Sequence, residues 1–187
     1  MVLILTAPNN GDYHSFCELI KDKEIFKRFE LFQNKPLDWC EKYINNWIQI
    51  NKQGESLRWM KLIKIAESKN ADEYYTDKNS TLIGFILHND AGALEVGISG
   101  FKMLLNYGII QKYRGKGIMT MALKLRLQRL YELKYNIISA YIEADNLESR
   151  KVLLKCGFNK VSDNDLGESY VKRIYMDEST FRKEFNL

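Results

Sequence analysis

The spacing of hydrophobic residues predicts helices and strands that alternate along the chain. Apolar side chains recur at helical spacing in residues 12–29 and again in residues 37–53, which is the pattern of an amphipathic helix that buries one face. Short apolar segments bounded by polar or turn-forming residues predict strands. These segments are residues 1–6, 57–66, 81–88, 94–98, 101–110, 137–143, 158–161 and 170–176. Residues 94–98 and 101–110 are compatible with two strands or with one bulged strand.

A third helix is predicted directly after a glycine-bearing turn at residues 113–117. Its apolar positions Ile118, Met121, Ala122 and Leu125 fall on one face, so we expect that face to be buried. Three more residues broaden the apolar stripe, namely Leu123, Leu127 and Leu130.

A fourth helix is predicted from Asp145 to Cys156. Asp145 and Glu148 have the spacing of a capping box, and Gly157 is the expected stop. The polar segment 68–80 predicts a surface loop. Taken in order, the elements predict a mixed sheet covered by about four helices, in the α/β or α+β class. The chain has two prolines and no repeat or long linker, which predicts a single domain over residues 1–187.

Composition narrows the class of protein. Of the 187 residues, 45% are hydrophobic and 28% are charged, as in soluble globular proteins and unlike disordered, collagen-like or coiled-coil chains. No apolar run approaches the ~20 residues of a membrane-spanning helix, and the first six residues predict a strand rather than a signal peptide. The net charge of +4 allows an anionic ligand without requiring nucleic acid. Three cysteines without metal-ligand spacing predict reduced thiols, a cytoplasmic location and no metal site.

The segment from Tyr107 to Thr120 carries the first candidate chemistry. An apolar strand leads into a turn with two glycines and then into a helix, whose first turn leaves four backbone N–H groups unpaired and carries about half a positive charge. Glycines let those amides approach a phosphate closely, and Arg114 and Lys116 add positive charge. The segment predicts an anion-binding loop, or else a turn whose glycines only relieve strain. Neither the Walker A nor the Rossmann pattern is present.

A second motif makes the first more specific. Residues 143–158 combine a strand, an N-capped helix and a glycine stop. In this order, the two motifs resemble the GNAT superfamily of acyl-CoA-dependent N-acetyltransferases. Residues 114–119 match the family loop Q/R-x-x-G-x-G/A except at Met119, where Gly or Ala is usual. The chain also resembles the branch that contains the ribosomal-protein N-terminal acetyltransferases. The matching residues are Asn146, Ser149, Leu153, Gly157 and Phe158.

This resemblance implies a fold and a co-substrate. It implies a GNAT-like mixed, mostly antiparallel central sheet, with acetyl-CoA as co-substrate. The end of the strand at residues 107–109 would bind the pantetheine arm and the acetyl carbonyl, and the amides of residues 115–120 would bind the pyrophosphate. The cofactor-binding residues implied in this way are Tyr107, Gly108, Ile109, Arg114, Gly115, Lys116, Gly117, Ile118, Met119, Thr120 and Asn146.

The resemblance also implies that an amine attacks the thioester directly in a ternary complex. Many relatives carry a tyrosine acid where this chain has Leu153, so Ser149 is our candidate acid, with helix capping as its alternative role. No carboxylate lies in residues 101–110, and Glu143 is our candidate base, with solvation at a strand end as its alternative. Weaker candidates for the base are Asp90, Glu95 and His88.

The predicted function is therefore acetyl transfer to a primary amine, either a protein N-terminus or a small molecule. The alternative is a catalytically silent acyl-CoA-binding or regulatory module. A weaker third interpretation is a nucleic-acid-binding domain that uses the cations of residues 112–116. We expect acetyl-CoA and an amine acceptor as partners, no membrane and no nucleic acid, and a homodimer stays open.

Overall fold

The computed structural model describes residues 1–36, 38–52, 60–66, 79–90, 102–133, 135 and 137–173. These residues form seven strands and five α-helices. The strands are β1 (Val2–Thr6), β2 (Met60–Ala66), β3 (Ser80–Asp90), β4 (Lys102–Ile109), β5 (Ile137–Glu143), β6 (Asn159–Asp163) and β7 (Gly167–Arg173). The helices are α1 (Tyr13–Leu19), α2 (Lys23–Arg28), α3 (Trp39–Lys52), α4 (Ile118–Glu132) and α5 (Leu147–Lys155). The predicted strand 94–98 and most of the predicted loop 68–80 lie outside the described residues.

The strands form one mixed sheet in the order β1-β2-β3-β4-β5-β7-β6. The pairs β1–β2, β2–β3, β5–β7 and β6–β7 are antiparallel, and β4–β5 is parallel. The predicted mixed, mostly antiparallel sheet is confirmed. The predicted helix 12–29 is instead two helices, because Asp22 accepts hydrogen bonds from the amides of Glu24 and Ile25 and starts α2 afresh.

The chain divides into two compact units. Unit 1 comprises Met1–Leu87 and Tyr107–Ile118, and unit 2 comprises His88–Asn106 and Met119–Leu187. In unit 1, apolar side chains of α1, α2, α3, β2 and β3 share a core. Its centre is aromatic, and the rings of Phe16, Phe29 and Phe32 all pack against that of Phe85.

A disulfide joins two helices of unit 1. Cys17 of α1 and Cys40 of α3 are bonded, with their Cα atoms 5.9 Å apart. The prediction of reduced thiols is therefore wrong for this pair. The residues lie 23 positions apart on different helices, so only the folded chain shows that they meet. Cys156 is a buried cysteine outside this disulfide.

A buried ion pair lies at the start of α1 in unit 1. Lys64 Nζ is 2.5 Å from Asp12 Oδ1, and both side chains are almost fully buried. The second carboxylate oxygen of Asp12 accepts the backbone N–H of Asn9. Lys64 is enclosed because β2 is buried on both faces over residues 62–66 and a bulge interrupts its pairing with β3 between Ile63 and Lys64.

Two glycines bring the backbones of β3 and β4 close together in unit 1. A Cβ on Gly84 would lie 2.5 Å from the carbonyl oxygen of Gly108, and a Cβ on Gly108 would lie 2.9 Å from Cε1 of Phe85. Neither distance leaves room for a methyl group. The backbone at the end of β4 therefore lies in close contact with the backbone of β3. The amide of Ile110 continues this contact by donating to the carbonyl of Ile83.

The helices of unit 2 correct two predictions. Met121 and Leu125 of α4 are 46% and 48% exposed, while Ala122, Leu123 and Leu127 are buried. The predicted buried face is thus wrong at Met121 and Leu125, because α4 has more apolar residues than one face can bury and the helix is rotated toward the leucines.

The predicted capping box of α5 is also wrong. Asn146 is the N-cap, and its side chain accepts the amide of Ser149. The predicted stop is confirmed, since Gly157 has φ +76°. The amide of Phe158 donates to the carbonyl of Leu153, and that of Gly157 to the carbonyl of Leu154, as in a Schellman motif.

Candidate functional site

Strand β4 extends beyond the residues that pair with β5. The two strands pair over only three residues, Lys102–Leu104 with Ile137–Ser139, and β4 then continues to Ile109. A strand segment that is not paired along one edge presents backbone N–H and C=O groups to a partner. The predicted contact of residues 107–109 with an extended ligand falls on this segment.

The loop between β4 and α4 has the conformation of an anion cradle. After a 3₁₀ turn at Gln111–Tyr113, Gly115 has φ +72° and Gly117 has φ +74°, a region that L side chains rarely adopt. Both glycines are exposed, and no protein atom lies within 4 Å of where their Cβ atoms would be. Helix α4 begins one residue later, at Ile118. Among the described residues, the amides of Gly115, Lys116 and Gly117 have no protein acceptor, so they are available to an anion.

Arg114 is held inside unit 1. Its Nε donates to the carbonyl of Ile109 at 2.9 Å, and its Nη2 lies 2.5 Å from Oδ1 of Asp22. The guanidinium thus ties the loop to the end of β4 and to the start of α2. Its predicted contribution of charge to an anion is already balanced by this carboxylate.

The Asp22 carboxylate is ionised at neutral pH. Burial opposes its charge, but hydrogen bonds from the Gln111 amide and from Arg114 outweigh that effect and hold the pKa of Asp22 below its usual value. Because the folded pKa is lowered, the contribution of this group to stability is complete above about pH 4. It is lost as the pH falls through the folded pKa.

Two exposed lysines flank the loop. The Nζ atoms of Lys112 and Lys116 each lie 5.5 Å from the centroid of the Tyr113 ring, within the range of cation–π contact. Neither lysine forms an ion pair with a carboxylate in the described part of the chain. Both lysines lie next to the exposed amides, and among the described residues no ion pair with a carboxylate balances their positive charge.

Met119 departs from the usual family residue without filling the loop. Its side chain is 6% exposed and belongs to the core of unit 2, so its bulk is directed inward. The next residue, Thr120, accepts a hydrogen bond from the buried thiol of Cys156 at 3.7 Å through its carbonyl. This contact fixes the first turn of α4 to the end of α5.

The predicted catalytic and Asn146 positions lie together in unit 2 at the end of β5 and the start of α5. Asn146 donates its amide to the carbonyl of Glu143 at 3.0 Å, and its Oδ1 accepts the amide of Ser149 at 3.2 Å. Ser149 is half-buried and Glu143 is exposed. Asn146, and not Ser149, is therefore the N-cap residue of α5.

A network of hydrogen bonds connects α5 and the turn before it to β7. Arg150 donates to the carbonyl of Ala144 and to Oε2 of Glu168, and the Tyr170 hydroxyl donates to the same carboxylate oxygen at 2.9 Å. The network fixes α5 relative to β7. The candidate acid Ser149 therefore lies at a helix start that is hydrogen-bonded to β7.

His88 is fully buried in unit 2, where its Nε2 accepts a hydrogen bond from Arg126 Nε at 2.8 Å. Burial lowers the pKa of Arg126 to about 10. The lone pair of Nε2 is therefore occupied by Arg126. The side chains of Asp90 and Glu95 lie outside the description. Among the described residues there is no cluster of His, Cys, Asp and Glu that could hold a metal, and no helix is both long and apolar enough to cross a membrane.

Comparison with known proteins identifies the family and the fold. A sequence model of the Acetyltransferase (GNAT) domain matches residues 2–159. No curated protein sequence gives a significant match. Among solved structures, one of RimL, a ribosomal L7/L12 alpha-N-protein acetyltransferase in complex with coenzyme A, superposes with a TM-score of 0.67 at 15% identity, over 95% of this chain and 97% of that one.

Two further structures have the same fold. The ribosomal-protein-S5-alanine acetyltransferase of Vibrio fischeri gives a TM-score of 0.63 at 16% identity, over 91% of this chain and 92% of that one. A GNAT-family acetyltransferase of Bacillus anthracis gives 0.65 at 16% identity, over 93% and 95%. Since the family match spans most of the sequence, this chain belongs to the GNAT acetyltransferase family.

Proposed function

We propose that this protein transfers an acetyl group from acetyl-CoA to a primary amine, on a protein N-terminus or a small molecule. The observation that carries the proposal is the β4–α4 loop, where two left-handed glycines leave three exposed amides without an acceptor in the described part of the protein, beside a helix N-terminus. A diphosphate fits such a site by charge and by hydrogen bonding. The relative solved with coenzyme A supports the same ligand.

The loop divides the binding work among its residues. The amides of Gly115 to Thr120 bind the pyrophosphate, and Lys112 and Lys116 add attraction that salt weakens. The backbone of residues 107–109 binds the pantetheine arm along the unpaired part of β4. Arg114 contributes by holding the loop, since its guanidinium is occupied by Asp22 and Ile109.

The reaction is a direct acyl transfer. The amine nitrogen attacks the thioester carbonyl carbon, a C–N bond forms, the C–S bond breaks, and the leaving thiolate takes up a proton. Holding the two reactants together supplies roughly 7–11 kcal/mol, whereas one positioned acid or base supplies about 10²- to 10⁴-fold in rate. Positioning therefore outweighs the acid that Leu153 cannot provide. We assign the acid role to Ser149 and the base role to Glu143.

Other properties follow from the same proposal. We infer that residues 1–187 form one acetyltransferase domain, which the family match over residues 2–159 supports. We infer a cytoplasmic location from relatives named for acting on ribosomal proteins. The disulfide Cys17–Cys40 argues against a reducing compartment. Thiol labelling of the protein in cell extracts decides between the reducing cytoplasm and an oxidising compartment.

Thiol release from acetyl-CoA tests the function. We expect release that depends on an added amine, measured with a panel of peptide N-termini, lysine, polyamines and small amines. Binding of CoA without amine-dependent release would identify the silent acyl-CoA-binding module instead. A protein that does not bind CoA at all would contradict both.

The acid role of Ser149 has its own test. Ser149→Ala should lower kcat by roughly tenfold and leave CoA affinity unchanged, because the hydroxyl acts mainly in the transition state. Asn146→Ala should weaken CoA binding and, since Asn146 is the N-cap, also lower the free energy of unfolding by about 0.5–2 kcal/mol. A Ser149→Ala enzyme with wild-type kcat would assign the proton to water.

A further inference from the structure

We propose that Asp22 is a positioning residue for the β4–α4 loop, and that its carboxylate holds the loop in the conformation that exposes its amides. The inference rests on the proposed binding of CoA by that loop. Asp22 itself touches no substrate in this scheme. It acts through Gln111 and Arg114.

The carboxylate of Asp22 joins two segments that are distant in sequence. Its Oδ2 accepts the backbone amide of Gln111 at 2.8 Å, and its Oδ1 lies 2.5 Å from Nη2 of Arg114. The same Oδ1 accepts the amides of Glu24 and Ile25 at the start of α2, at 3.2 and 3.3 Å. One side chain thus caps a helix and anchors a loop 89 to 92 residues away.

These contacts grip the loop immediately before its exposed amides. Asp22 holds residue 111 by its backbone and residue 114 by its side chain, and the amide of Arg114 closes the turn between them by donating to the carbonyl of Gln111. Arg114 Nε also donates to the carbonyl of Ile109. The left-handed turn at Gly115 starts at the next residue, so its direction is set by the anchored segment.

The ion pair is sheltered enough to hold its geometry. The side chains of Asp22 and Arg114 are 12% and 27% exposed, so the pair is less screened by salt than a surface pair. A surface pair of the same kind exists for comparison. Asp38 and Lys42 are 56% and 76% exposed, and such exposed pairs contribute little.

The test uses an isosteric change, Asp22→Asn, that separates the two jobs of this side chain. The asparagine would retain an acceptor for the amides of α2, since asparagine caps helices as well as aspartate does. It would remove the charge that faces Arg114 and place an N–H group opposite the amide of Gln111. We therefore expect Asp22→Asn to raise the Kd for CoA, measured by calorimetry, at least tenfold. The melting temperature should fall by only a few degrees.

Three comparisons complete the experiment. Asp38→Asn, the same chemical change at the exposed pair, should leave the Kd unchanged. Arg114→Gln should weaken binding, and the double variant Asp22→Asn/Arg114→Gln should be less than additive, because both changes break one contact. In hydrogen exchange, the Gln111 amide should exchange at least tenfold faster in Asp22→Asn than in the wild type.

The outcomes are distinguishable. If the wild type binds CoA and Asp22→Asn binds it with the same Kd, the inference is overturned and the proposed function stands. A lower melting temperature with unchanged Kd and unchanged exchange at Gln111 would reduce Asp22 to a helix cap. If the wild type does not bind CoA, the proposed function fails, and the exchange of the Gln111 amide still decides whether Asp22 holds the loop.

Discussion

Glutamate at position 117 is expected to weaken CoA binding at least tenfold, which is about 1.4 kcal/mol. Gly117 has φ +74° and lies in open space. A Cβ there would have no protein atom within 4 Å, so we expect the fold to be retained. Glutamate strains the turn by roughly 1–2 kcal/mol and places a negative charge beside the amides proposed to bind the pyrophosphate. Calorimetry with CoA measures the affinity, and circular dichroism checks the fold.

Gly117→Gln is the matched control for this change. Glutamine has the same length and imposes the same backbone strain as glutamate, but it carries no charge. The loss of affinity with glutamine should therefore be smaller, and the difference between the two variants measures the repulsion. Equal CoA affinity in the wild type and Gly117→Glu would contradict the assignment of the loop.

Of the substitutions proposed for this protein, removal of the Asp12 carboxylate should lower the free energy of unfolding the most. Asp12→Ala removes the carboxylate that lies 2.5 Å from the buried ammonium of Lys64, and removing one member of a buried pair costs about 3–5 kcal/mol. The change also removes the acceptor of the Asn9 amide. Denaturant unfolding should show this decrease in the free energy of unfolding.

Two further variants separate charge burial from simple loss of contact. Asp12→Leu combined with Lys64→Met removes both charges and should recover part of the lost stability, because no ion is left in an apolar environment. Asp38→Ala breaks an exposed pair and should cost at most about 1 kcal/mol. An Asp12→Ala protein as stable as Asp38→Ala would show that the Lys64 pair contributes nothing special.

The sequence predicts the loop and its helix because their signals are local. A strand, two glycines and an apolar helix follow one another within a short stretch of chain, so periodicity and turn chemistry are enough. The ion pair between Asp22 and Arg114 has no such signal, since its members lie 92 residues apart. An aspartate before a helix predicts an N-cap, and Asp22 is one, but nothing in the sequence shows its second set of contacts.

Errors of the prediction share a physical cause, which is that tertiary contacts choose among locally equivalent options. Asp145 and Asn146 are both good helix caps, and the structure uses Asn146. The cysteines at positions 17 and 40 carry no local sign of their pairing, and the packing of α1 against α3 brings them together. In α4 every turn carries leucine or another apolar residue, so the buried face is decided by packing.

The close approach of Gly84 and Gly108 also limits how this sequence can change over time. A methyl group on Gly84 would meet a backbone oxygen, and a methyl group on Gly108 would meet the ring of Phe85. A clash with a side chain can be relieved by a smaller neighbour. A shorter residue at position 85, with a small shift of the Ile25 side chain, whose Cγ1 would lie 3.2 Å from the new methyl group, therefore makes room for alanine at position 108. A clash with the main chain has no such remedy, because no substitution elsewhere shortens a carbonyl. Of the two positions, position 84 is therefore the one at which glycine cannot be replaced. It lies on β3, outside both of the motifs that mark the family.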